Sequence, residues 1–170
     1  KLIKPASAPV ARDGLLWIYY SGFTIPHNAL PEDYDGRIGL ARARIDGLCS
    51  LDATSEGALI TGPFQIRGSQ LSINAETRGP EPGTINSSVA WKHVFDGSVN
   101  GTGRIQVEIQ DEYGHPMPAF EAGDCTPFQG DQTDGIVGWR NGSDLSPLRG
   151  RIVRLRFLLY NARLYSWTIR

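Results

Sequence analysis

The stretch Arg104–Asp111, RIQVEIQD, alternates strictly between polar and apolar residues. Ile105, Val107 and Ile109 fall on one side of an extended chain. Because successive side chains of a β-strand point to opposite faces, this period of two predicts a half-buried antiparallel strand. The polar side of the same strand would carry Arg104, Gln106, Glu108 and Gln110.

Similar short runs recur along the chain, and turn residues separate them. No apolar period of 3.6 residues is sustained over three turns, so the sequence predicts no helix. Strands at about ten-residue spacing predict an all-β protein built as an antiparallel β-sandwich. Predicted strands besides the opening stretch are Leu15–Tyr20, Arg37–Arg44, Leu48–Leu51, Leu59–Ile66, Ser69–Glu76, Ile136–Arg140, Arg151–Tyr160 and Arg163–Ile169, the last two separated by a turn at Asn161–Ala162.

Composition limits the possible partners. The chain has 170 residues, 20 glycines, 11 prolines and a formal net charge of −1. This charge balance argues against nucleic acid as a partner. No run approaches the roughly 18 apolar residues of a membrane span, so no membrane association is expected. The first residues contain neither Met nor a hydrophobic signal core, which predicts a processed end or an internal segment of a longer chain.

The two cysteines, Cys49 and Cys125, lie in no CxxC motif or Cys/His cluster, which argues against zinc. A disulfide between them and a pair of buried thiols are both compatible with the sequence, since pairing cannot be deduced from spacing.

Several motifs together resemble a known module. They are ARIDGLCSLDA at Ala43–Ala53, LSIN, GRIQVEIQDEYGHPMPAF, GDCTPFQGD, and the long run from Ile136 to Ile169. The stretch from Arg37 to Ile169 resembles the C-terminal concanavalin A-like β-sandwich of bacterial glycoside hydrolase family 32-like proteins, which carry a five-bladed propeller. The departures are Cys49 and an inserted region at Thr77–Gly103.

The resemblance implies a fold and a domain division. Residues 46–170 would form a sandwich of concanavalin A-like or jelly-roll type. Residues 1–45 are similar to the last strands of a propeller blade, through LLWIYYSGF and RIGLAR. The seam between the two would lie at Asp46-Gly47.

The resemblance also implies a function. Such sandwiches bind sugar or brace a propeller, so we expect a non-catalytic carbohydrate-binding module of a secreted or periplasmic bacterial protein. The partners would be a polysaccharide or oligosaccharide and a propeller domain of the same parent protein. Two alternatives stay open: a structural accessory segment of a propeller glycosidase, and a glucanase-like hydrolase that uses acids such as Glu108 and Asp111.

Sugar binding requires exposed aromatic rings and polar side chains. The expected ligand-binding residues are therefore Trp91, Tyr34 and Tyr113, together with Arg154 and Arg156 on an arginine-lined strand face. That face could instead pair with Glu108 and Glu121. No catalytic residue is predicted. The other tryptophans, Trp17, Trp139 and Trp167, are expected in the core or at its edge.

A structural calcium ion is the one cofactor that we consider. The acid-rich segment GDCTPFQGDQTDG is predicted to be a loop. Hard cations prefer several loop oxygens as ligands, so Asp131 and Asp134 are the candidate metal ligands.

Overall fold

The structure is a computed structural model, and it describes residues 2–6, 8–24, 35–77 and 103–170. The chain divides into two compact units, Lys1–Leu48 and Cys49–Arg170. Both contain antiparallel sheets, which confirms the prediction of an all-β protein. The jelly-roll arrangement stays a prediction. Within the described ranges, no helix is long and apolar enough to cross a membrane.

The N-terminal unit is one sheet of four strands: β1 (Leu2–Pro5), β2 (Val10–Arg12), β3 (Leu15–Phe23) and β4 (Gly36–Arg44). β3 is central. β1 and β2 follow each other along one edge of β3, and β4 pairs along the other edge. The sequence predicts the longer strands at Leu15–Tyr20 and Arg37–Arg44; β3 is rich in aromatic and branched residues, whereas β4 carries only Ile38 and Leu40 among small residues and arginines.

The C-terminal unit is a six-stranded sheet organised around its last strand. That strand pairs with β5 on one edge, and with β8 and then β7 on the other. β9 continues the sheet beyond β7. The strands are β5 (Leu51–Ile60), β6 (Phe64–Gln65), β7 (Leu71–Glu76), β8 (Arg104–Asp111), β9 (Asp131–Ile136) and β10 (Ile152–Ile169).

The hydrophobic core of this unit lies on one face of the sheet. Ile105, Val107 and Ile109 are buried there, as the alternation of the opening stretch predicts. Burial of one such side chain stabilises the fold by about 1.5–3 kcal/mol. The chain between β8 and β10 covers this face with Met117, Cys125, Val137, Trp139, Leu145 and Leu148.

The prediction of two short strands at Leu48–Leu51 and Leu59–Ile66 is wrong. One strand, β5, runs without interruption through the intervening sequence DATSEGA. These small and polar residues carry no apolar period. They are extended because β10 offers its backbone as a pairing partner, which local sequence cannot show.

Two further local predictions are wrong for the same kind of reason. The expected turn at Asn161–Ala162 is an irregularity inside the continuous strand β10, where Asn161 has φ of 43°. Asn tolerates this left-handed conformation better than most residues. The next residue, Ala162, is buried in the core. The expected loop at DQTDG is strand β9, which pairs with β7.

The ends of the region at Thr77–Gly103 meet in space. β7 ends with Glu76 opposite Arg163 of β10, and β8 begins with Arg104 opposite Tyr160. A Cβ atom on Gly103 would lie 2.0 Å from the carbonyl oxygen of Thr77. The two described ends of this region, Thr77 and Gly103, therefore lie next to each other.

Candidate functional site

The turn after β8 presents Tyr113 to solvent. One carboxylate oxygen of Asp111 accepts hydrogen bonds from the backbone N–H groups of Tyr113 and His115, both at 2.9 Å. The Tyr113 side chain is left 79% exposed. The His115 N–H bond is the main reason why the pKa of Asp111 lies below its usual value. The aspartate thus holds the turn, and the turn displays the tyrosine.

One predicted arginine contacts this turn. Nε of Arg154 donates a hydrogen bond to the carbonyl oxygen of Glu112, 3.1 Å away, and so ties β10 to the turn. Arg156 follows two positions along the same face, and its guanidinium lies 3.4 Å from the Glu108 carboxylate. The structure therefore places Arg154 at the turn that carries Tyr113, and Arg156 further along the strand beside Glu108.

Several polar side chains on this face of β8 and β10 interact with one another. Glu108 is buried, and its carboxylate accepts a hydrogen bond of 2.8 Å from the Gln110 amide. The guanidinium of Arg104 stacks on the Tyr160 ring at 4.8 Å. Arg156 therefore pairs with one of the two acids considered, Glu108. Arg154 is the arginine of this face that contacts the turn.

The geometry does not favour a hydrolase built on Glu108 and Asp111. Glu108 lies three positions before Asp111 on a strand whose register with β10 is regular, so the two side chains point to opposite faces. Both carboxylates also have structural partners. Glycoside hydrolysis requires two carboxyl groups that face each other across the sugar.

The candidate metal ligands lie on a strand. Asp131 is opposite Glu76 in the β7–β9 pair, and Asp134 lies at a register shift in β9. Asp134 forms an ion pair with Arg170 at a very short distance. This bond is the largest cause of the lowered pKa of Asp134. Within the described ranges, no three acidic, His or Cys residues form a group that could hold a metal ion. Calcium at these residues stays a prediction.

Two predicted ligand-binding residues, Trp91 and Tyr34, lie outside the described residues. The core prediction for Trp139 is confirmed, because only 3% of this residue is exposed. Trp167 packs against Phe64 with ring centroids 5.2 Å apart, at the edge of the core.

A sealed edge of β8 is a feature that sequence reasoning missed. The Val107 N–H donates to the sulfur of Cys125 at 3.2 Å, and the Trp139 indole N–H donates to the Val107 carbonyl at 2.9 Å. Burial raises the pKa of the Cys125 thiol. Cys125 is a free buried thiol and Cys49 a free exposed one, so neither a disulfide nor two buried thiols is present.

A buried ion cluster is the second feature that was missed. The Glu76 side chain is 6% exposed, and its carboxylate lies 3.9 Å from the Arg163 guanidinium. The Tyr165 hydroxyl donates to the same carboxylate at 3.3 Å, and Asp52 lies 3.2 Å from Arg163. Burial lowers the pKa of Arg163, but Asp52 and Glu76, together with Tyr165, more than offset this, so the pKa lies above its usual value. The sequence feature that could have indicated this cluster is the alternation of polar residues in LSINAE, which ends with Glu76.

Comparison with known proteins leaves the family open. No protein-family model matches this chain, and neither curated proteins nor solved structures gave a match. The likeness to family 32-like C-terminal sandwiches therefore stays an interpretation of the motifs.

Proposed function

We propose that this chain is a non-catalytic carbohydrate-binding module of a secreted or periplasmic bacterial protein. The supporting observation is an exposed tyrosine on a turn that one arginine contacts, with a second arginine further along the same strand face. Tyr113 is held outward by a turn that Arg154 contacts directly, and Arg156 follows on the same face.

These groups have the chemistry that sugars require. The apolar face of a pyranose ring stacks on an exposed aromatic side chain, and guanidinium N–H groups donate to hydroxyl or carboxylate oxygens. Because Arg156 pairs with Glu108, Arg154 is the guanidinium of this face that would favour an anionic ligand over a neutral one. The proposed ligand class is therefore an acidic polysaccharide, such as one that contains uronic acid or sulfated sugars.

Retention of the chain on plant and algal polysaccharides, measured by affinity electrophoresis, tests this function. Tyr113→Ala should weaken binding by about tenfold, because it removes the stacking ring without touching the core. Arg154→Gln should weaken binding to acidic glycans more than to neutral ones. Trp91→Ala and Tyr34→Ala test the two remaining predicted residues.

The matched control is Tyr19→Ala, which removes another exposed tyrosine, on the N-terminal sheet. This variant should bind like the parent chain. If the folded chain is retained on none of the glycans, carbohydrate binding is the wrong function.

A second candidate, the structural accessory segment, rests on the N-terminal unit. This sheet is a single layer with apolar side chains on both faces. One face carries Trp17 and Tyr19, and the other carries Leu16 and Ile18. Arg44 is the one buried residue in its four strands. A sheet apolar on both sides normally lies between other layers. The corresponding proposal is that it packs against a propeller domain of the same parent protein.

This second candidate predicts an accessible apolar surface on the isolated chain. Ile38 is 84% exposed and Leu40 is also exposed on β4. An Ile38→Lys, Leu40→Lys double variant should lower the fluorescence of a bound hydrophobic dye by about half, since it places charges in the patch. The control is Ile152→Lys, which changes an exposed residue of the other unit. Equal fluorescence in all three proteins would contradict the accessory role.

A further inference from the structure

The outer edge of β5 directs unpaired backbone groups to solvent. The Thr61 N–H donates to the Leu155 carbonyl at 2.9 Å, so residue 61 points its backbone toward β10. Backbone direction alternates along an antiparallel strand, and Glu56, Ala58 and Ile60 therefore point theirs away from β10. Among the described residues, none forms a hydrogen bond with these outward groups.

The outer edge of β8 is closed, so an open edge is not a general feature of this sheet. The outer edge of β8 is closed by backbone bonds from Ile105 to Phe128 and from Ile109 to Phe120, and by the Cys125 thiol. Sheet edges are normally protected by Lys, Pro, bulges or covering segments. β5, with the sequence LDATSEGALI, contains neither Lys nor Pro, and its one irregularity is the register shift between the pairs Glu56–Tyr160 and Ala53–Ala162, which leaves the segment from Glu56 to Ile60 regular.

An apolar groove borders this open edge on the core-facing side of the sheet. Its volume is about 390 Å³, and its lining is mostly apolar. Leu51 and Leu59 of β5 both line it. The remaining lining residues are Cys49, Ser50, Leu164, Tyr165, Ser166 and Trp167.

The other face of β5 is acidic. The Asp52 carboxylate forms an ion pair with Arg163 of the neighbouring strand β10, whose guanidinium lies 3.2 Å away. Glu56 is exposed on the same face, opposite Tyr160 of β10. A strand added along the outer edge would place one set of alternate side chains over the groove and the other set beside these carboxylates.

We propose that the outer edge of β5 binds an extended segment of a partner polypeptide, in which apolar residues alternate with Lys or Arg, as an additional β-strand. Backbone hydrogen bonds to Glu56, Ala58 and Ile60 supply affinity. The groove accepts the apolar residues, and the exposed Glu56 carboxylate selects the basic ones, because Asp52 is already paired with Arg163. This binding is independent of the Tyr113 site.

A synthetic peptide of sequence KVKLKVK tests the proposal by NMR titration of the intact chain. The amide signals of Glu56, Ala58 and Ile60 should shift, and their hydrogen exchange should slow on binding. A peptide of the same composition in the order KKVLVKK cannot alternate, and EVELEVE alternates with the wrong charge. Both should bind at least about tenfold more weakly.

Two pairs of variants identify the contact. Ala58→Pro removes an outward N–H that the fold does not use, and should abolish binding, while Ala58→Val retains the N–H and should bind. Glu56→Lys, which does not alter the backbone, should weaken KVKLKVK and strengthen EVELEVE. The proposal is overturned if KVKLKVK causes no shifts in β5, or if the three peptides bind equally. It is also overturned if sedimentation shows a dimer that Ala58→Pro dissociates, because the occupant is then a second copy of the chain.

Discussion

Trp139→Ala is expected to lower the free energy of unfolding of the C-terminal unit by about 3–5 kcal/mol, the usual cost of truncating a buried aromatic residue. Trp139 is almost fully buried, and its ring meets that of Phe120 edge to face at 5.3 Å. Its indole N–H is also the partner of the Val107 carbonyl, so truncation leaves that buried acceptor without its bond. Urea unfolding, followed by circular dichroism and by the amide signals of β8, measures the change.

Phenylalanine substitutions separate the lost hydrogen bond from the lost volume. Trp139→Phe retains most of the ring but removes the indole N–H, and should still cost about 1–3 kcal/mol. Trp167→Phe is the matched control, because the described residues provide no hydrogen-bond partner for the Trp167 indole. It should cost less. Equal costs for the two phenylalanine variants would show that the bond to Val107 does not stabilise the sheet edge.

Gly103→Ala is expected to destabilise the same unit by about 3 kcal/mol, at the upper end of overpacking costs. The added Cβ would lie 2.0 Å from the carbonyl oxygens of both Thr77 and Asn161. These are backbone atoms of β10 and of the end of β7, and they cannot rotate away as a flexible side chain would. Relief requires separation of strands at the point where β7 and β8 meet.

Gly62→Ala is the control for this prediction. No heavy atom lies within 4 Å of a Cβ built on Gly62, so the substitution should change stability little. Hydrogen exchange of amides at the β7–β8 junction should quicken in Gly103→Ala but not in Gly62→Ala. A Gly103→Ala chain as stable as the parent would mean that the two strand ends do not approach each other as closely as the structure shows.

Much of the strand content could be predicted from the sequence because the core side of most strands is apolar. β8 and the first half of β10 follow a period of two, and their core residues are the ones that the pattern names. In the second half of β10 the irregularity at Asn161 changes this, so that Ala162 and Leu164 are buried in place of the expected Tyr165. β5 and β9 could not be predicted in this way. β5 lies at one edge of the sheet and β9 beyond β7, and small or polar residues form both. Their conformation depends on neighbours that are distant in sequence.

For the candidate site, the residues could be predicted from the sequence, but their contacts could not. Tyr113 could be predicted because the turn residues around it indicate exposure, and Arg154 and Arg156 because they alternate with apolar residues. That Arg154 contacts the turn of Tyr113 depends on the pairing of β8 with β10, about 40 residues apart, and no local pattern carries that information. The metal prediction assumed that Asp131 and Asp134 lie in a loop, but this segment is strand β9.

By itself, the sequence determined the β class of this protein and the buried alternation of β8, because both follow from the properties of consecutive residues. The tertiary structure alone decided which edges are closed and which is open. Cys125 and Trp139 seal β8 from positions 18 and 32 residues away, whereas β5 has no such partner among the described residues. Backbone groups are the same in every residue, so only the arrangement of strands can decide which of them remain available for binding.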